Sequence, residues 1–65
     1  MKVNKLKAKI VENEMSVEQL SAKIPMNKST FHRKMKNGTF FIAEVEVIAK
    51  VLGLTNEEVS DIFFN

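Results

Sequence analysis

The stretch NKSTFHRKMKNG, residues 27–38, carries Lys28, His32, Arg33, Lys34 and Lys36 and not one carboxylate. All five side chains are N–H donors, and Asn27 and Ser29 add short hydrogen-bonding groups. Chemistry of this kind suits an anion. DNA presents one negative charge per about 1.7 Å of its axis, so a carboxylate on a docking face would meet that field unpaired. Lys28 and Arg33 have the reach to donate to guanine O6 and N7. Ser29 and Asn27 can bond either a base edge or a phosphate.

The rest of the charge is sorted in the same sense. The 65-residue chain has a net charge of only +2, but no acid falls between Glu18 and Glu44, whereas Lys23, Lys28, Arg33, Lys34 and Lys36 do. A second basic cluster, Lys2, Lys5, Lys7 and Lys9, opens the chain. That cluster reads either as the solvated side of a first helix or as flanking phosphate contacts. Sorting of charge is what a polyanion surface requires.

Other chemistries find little footing. There is no cysteine, hence neither a disulfide framework nor a thiolate metal site. Absence of cysteine fits a reducing, cytoplasmic setting. One histidine does not make a metal site, so His32 is expected to be solvated or DNA-facing, and no cofactor is expected. Glu44, Glu46, Glu57 and Glu58 read as acids favouring helix starts, not as a pair for acid–base work. A single domain of this size buries only about 60% of the surface its unfolded chain exposes. That leaves little room for a deep cavity, so neither an enzyme nor a small-molecule substrate is expected. The longest apolar run, Phe40 to Ala43, is far too short to span a bilayer, and the lysine-rich start lacks the apolar stretch of a secretory signal.

Five short helices are predicted to position these groups. The first runs from about Asn4 to Asn13, with Val3, Leu6, Ile10 and Val11 as its apolar stripe. Ser16 and Gln19 form a capping box at the start of the second, which carries Val17, Leu20 and Ile24. Pro25 removes a donor and biases Ile24 away from helical angles, so that helix should stop near Lys23. Asn27 caps the third, whose inward pair is Phe31 and Met35, and Asn37-Gly38 ends it. The fourth spans about Ala43 to Leu52 with Val45, Ile48, Ala49 and Leu52 on one face, and Gly53 ends it. Alternation over TFFIAEVEVIAKV also admits a strand, but the Leu-Gly ending favours a helix. Thr55 and Glu58 offer a second capping box for the fifth helix, which carries Val59, Ile62 and Phe63.

Helices two and three, each capped and separated by a short Pro-containing break, have the layout of a helix-turn-helix. At 100° per residue, Phe31 and Met35 face one way and Lys28, Ser29, His32, Arg33 and Lys36 the other. MSVEQLSAKIPMNKSTFHRKMKNG resembles the phage-repressor, Cro-like helix-turn-helix family, and VEVIAKVLGLTNEEVSDIFF is similar to that family's fourth and fifth helices. Together the resemblance covers roughly residues 4–64. It implies an all-α, lambda-repressor-like bundle of five helices in one domain, residues 1–65. It also implies a phage or prophage regulator that occupies operator DNA, commonly as a dimer. By position, Lys28, Ser29, His32 and Arg33 would face bases. Asn27, Lys34, Lys36 and the residues after Gly38 would lie near phosphate. Three departures stand out. Pro25 occupies the turn position where the family usually has glycine. Val17 replaces a common glutamine, and Met35 follows Phe31 by four residues instead of three. Ser21 keeps the small residue that close helix packing needs.

A core of this size does not readily hide five phenylalanines. Phe40, Phe41, Ile62, Phe63 and Phe64 are therefore candidates for a homodimer contact. The alternative function is a protein-binding adaptor or antirepressor on the same fold, one that does not bind DNA.

Overall fold

Ser16 and Gln19 make the reciprocal pair their spacing predicts: the Gln19 amide donates to Ser16 Oγ at 3.1 Å and the Ser16 amide to Gln19 Oε1 at 2.8 Å. Thr55 and Glu58 repeat the arrangement at 3.1 and 2.9 Å. These caps open two of the five helices in the computed structural model, which describes all residues from Met1 to Asn65. In chain order they are α1 (Val3–Glu12), α2 (Val17–Lys23), α3 (Lys28–Asn37), α4 (Ile42–Leu52) and α5 (Asn56–Phe63). The protein is all-α and compact, with a Cα radius of gyration of 10.4 Å. The segment whose alternation also admitted a strand is helical from Ile42. No helix is long and apolar enough to cross a membrane.

Every helix contributes to one core of Leu6, Ile10, Leu20, Phe31, Met35, Ile48, Leu52 and Ile62. Val11, expected to extend the α1 stripe, instead points outward and is largely exposed. Ser21 is buried, and its hydroxyl donates to the Glu18 carbonyl at 2.9 Å, so α2 and α3 can approach closely without an orphaned polar group.

Helix α2 stops where expected, through one of the two expected effects of Pro25 and not the other. Ile24 keeps right-handed helical angles, φ −76° and ψ −26°. The stop comes from Pro25, which has no N–H to continue the ladder. The Ser21 carbonyl takes the Met26 amide instead, at 2.8 Å. Helices α3 and α4 both end on a left-handed glycine, Gly38 at φ 66° and Gly53 at φ 65°. Glu14, in the α1–α2 turn, adopts φ 56° without being glycine. That conformation costs roughly 1–2 kcal/mol for a residue bearing a Cβ, and nothing in the sequence pattern announced it.

A clasp of charges joins α1 to α5. Asp61 receives Lys2 at 2.6 Å and Lys5 at 2.5 Å, and Lys9 reaches Glu58 at 2.5 Å. The Lys2 amide also donates to the Ile62 carbonyl at 2.7 Å. Hydrogen bonds from Lys2 and then Lys5 hold the Asp61 carboxyl down at about 2, against the opposing effect of burial. Lys9 likewise lowers Glu58, and Glu58 followed by Glu12 raises Lys9. A depressed carboxyl contributes stability above its unfolded pKa and loses it as pH falls through the folded value. The urea midpoint should therefore drop as pH falls from about 4 towards 2. Asp61→Asn should be less stable than the parent at neutral pH, and the two curves should converge at the acid end. Parallel curves would show that the clasp does not contribute.

Candidate nucleic-acid interface

Phe31 and Met35 are buried and pin α3 to the core, which fixes the opposite face outward. Phe31 also meets Phe40 in a tilted contact, ring centres 5.1 Å apart, and Phe40 meets Phe63 edge-on at 6.2 Å. This aromatic ladder sits behind α3 and holds it from the rear. At its start, Asn27 Oδ1 accepts from the Thr30 amide at 3.1 Å and from Ser29 Oγ at 2.7 Å. The Asn27 oxygen is thereby engaged. What Asn27 offers outward is its amide nitrogen, a donor, and what Ser29 offers is a hydroxyl oxygen with its proton already committed.

Lys28, Ser29, His32, Arg33 and Lys36 are all exposed, and Asn27 lies beside them. Two shallow depressions run along this face and share His32. One is lined by Asn27, Lys28, Ser29 and His32. The other is lined by Val3, Lys7, His32, Met35 and Lys36. Neither has a carboxylate in its wall. Arg33 and Lys36 form no ion pair. Lys28 approaches Glu18 at 3.8 Å, with both side chains mostly in solvent. A contact of that kind is water-screened and easily given up. It does place one acid at the edge of a surface that the sequence order alone leaves clear.

Lys34, expected near phosphate, is set apart from the exposed group by a pairing of its own. Its ammonium bonds both Glu44 oxygens at 2.9 Å and lies 3.9 Å above the centre of the Phe41 ring. Only 12% of its side chain is exposed. The physical reason is the start of α4. Glu44 Oε1 accepts the Phe41 amide at 2.7 Å, which swings the carboxylate back over the α3–α4 turn and under Lys34. Burial pushes the Glu44 carboxyl up, but the Lys34 hydrogen bond, the Phe41 amide and the Lys34 charge together leave it below the ordinary range.

The four N-terminal lysines split. Lys2, Lys5 and Lys9 belong to the clasp on α5, and Lys7 alone is unpaired and borders α3. A helical wheel of α1 contains the signal. Lys2, Lys5 and Lys9 fall within about 60° of one another, and Lys7 lies about 140° or more from each. Val17, in place of the family's glutamine, is half-buried against the core, and Gln19 is used in its cap. Val17 supplies no polar group at the start of α2, and Gln19 keeps only its side-chain NH2 free.

The apolar residues expected at a homodimer contact also divide. Ile62 is buried at 2% exposure and is part of the core, because Leu6 and Ile10 of α1 pack in the same cluster. Phe40 and Phe63 are half-buried in the aromatic ladder. Phe41 and Phe64 remain open at 67% and 59%, and Ile42 joins them at 61%.

Comparison with family models, curated proteins and solved structures finds no match to this chain.

Proposed function

We propose that the chain is a sequence-specific DNA-binding regulator of the lambda-repressor-like, Cro-like type. In this reading α2 and α3 form the helix-turn-helix, and α3 is inserted into a major groove. The observation that carries the reading is the outer face of α3: Lys28, Ser29, His32, Arg33 and Lys36 exposed together above a buried Phe31–Met35 pair. Arg33 and Lys28 are the residues for base edges, Asn27 and Lys36 for phosphates, His32 for either, and Ser29, whose proton is held by Asn27, for a donor on a base edge. Lys34 is a positioning residue that fixes the α3–α4 turn. Bound to an operator in the cytoplasm, the protein would block polymerase or a competing regulator by occupancy.

Titration against duplex DNA at several salt concentrations tests this. Neutralised phosphates release counterions, so log affinity should fall linearly with log salt. Lys36→Ala should weaken binding to all sequences alike and make the slope shallower by about one. A salt-independent association, or none, would remove the proposal. The exposed Phe41, Ile42 and Phe64 favour a protein contact as a second reading, whether a second copy of the chain or an adaptor's partner.

A further inference from the structure

Three residues able to bind an anion line the depression between α1 and α3: Lys7, Lys36 and His32. Its remaining walls are half-buried Val3 and buried Met35. No carboxylate borders it, and neither Lys7 nor Lys36 has an ion pair elsewhere. On this small surface the other lysines at the start of the chain are each matched to an acid of α5. The unmatched lysine faces the other way, towards α3. Two lysines bordering one groove with no counter-charge in its wall favour an anion there.

We propose that this groove seats a backbone phosphodiester, so that α1 as well as α3 grips the nucleic acid. The proposal rests on the DNA-binding reading above and extends it to a residue outside the helix-turn-helix. Lys7 and Lys36 supply the charge, and His32 supplies a ring N–H from the point where this groove meets the one lined by Asn27, Lys28 and Ser29. That continuity is the reason for assigning a phosphate on a polymer and not a free small anion. A strand lying along α3 would pass from one depression into the next. Because the contact is to the backbone, it contributes to affinity on every sequence and to preference on none.

The test uses the full chain, a mixed-sequence duplex and a salt series. Lys7→Gln should make the slope of log affinity against log salt shallower by about 0.9 and weaken binding roughly eightfold at 0.1 M salt, with the difference vanishing near 1 M. Lys50→Gln, which removes an exposed and unpaired lysine of α4, should leave the slope unchanged. Lys7 makes no ion pair, so the thermal midpoint of Lys7→Gln should match the parent and folding should not confound the result. In the Lys7→Gln, Lys36→Gln double variant the losses should fall short of the sum if both lysines hold one phosphate. A parent slope that persists unaltered in Lys7→Gln overturns the α1–α3 seat and leaves the DNA-binding reading intact. A parent that shows no salt-dependent binding overturns both.

Discussion

Phe31→Ala is expected to leave the chain mostly unfolded at 25 °C. Phe31 is fully buried, belongs to the core and starts the aromatic ladder through Phe40 to Phe63. Removing a buried phenylalanine to alanine costs about 3–5 kcal/mol. A single core in a domain of this size supplies about the same amount, so the loss is comparable to the whole margin. Far-UV circular dichroism and urea titration read the outcome directly. Phe31→Leu, which retains most of the apolar volume, should still fold with a lower midpoint. A Phe31→Ala chain that kept the parent's midpoint would mean that α3 is not held by this ring, and the outward orientation of Lys28, His32 and Arg33 would lose its cause.

Arg33→Ala is expected to change which sequences are bound more than how tightly DNA is bound overall. Arg33 is exposed and unpaired on the outer face of α3, and its planar fork can take guanine O6 and N7 together. A good bidentate contact contributes about 1–3 kcal/mol of discrimination, roughly 5- to 150-fold between the right base and the wrong one. Duplexes selected from a randomised pool by the parent should share a guanine that those selected by Arg33→Ala lack. Lys36→Ala should select the parent's sequences at lower affinity. If Arg33→Ala recovers the parent's preferences unchanged, base reading by this residue is wrong, whatever the salt dependence says.

The helices were largely legible in the sequence because their signals are local. Ser16 with Gln19, Asn27, Thr55 with Glu58, Gly38 and Gly53 each act on backbone groups within a few residues, and each does so here. Burial of Phe31, Met35, Val45, Ile48 and Leu52 follows from the 3.6-residue period for the same reason. What was not legible depends on which helix lies against which. Lys34 looks like its neighbours Arg33 and Lys36 until Glu44, ten residues on, is folded back beneath it. Lys2 and Lys5 look like a basic arm until Asp61, 59 and 56 residues away, meets them. Ile62 looks like part of an open apolar end until α1 covers it. The expected cluster of exposed donors therefore keeps its centre on α3 and changes at its margin, where tertiary neighbours decide which charges and apolar groups stay open.

The clasp between the first and last helices has a consequence for how the molecule comes apart. It joins groups nearly a full chain length apart, and closing so long a loop costs more chain entropy than joining neighbours does. The α2–α3 pair, by contrast, is linked through residues 24–27 alone. Its pairing is local and its seam is buried around Leu20, Ser21 and Phe31. Loosening should begin at Lys2 and Lys5, whose Asp61 partner is partly solvent-exposed, before it reaches the buried contacts of Leu6 and Ile10 with Ile62. The start of α1 is thus the part that acid should free first, while Leu6 and Ile10, buried in the common core, keep the rest of that helix in place.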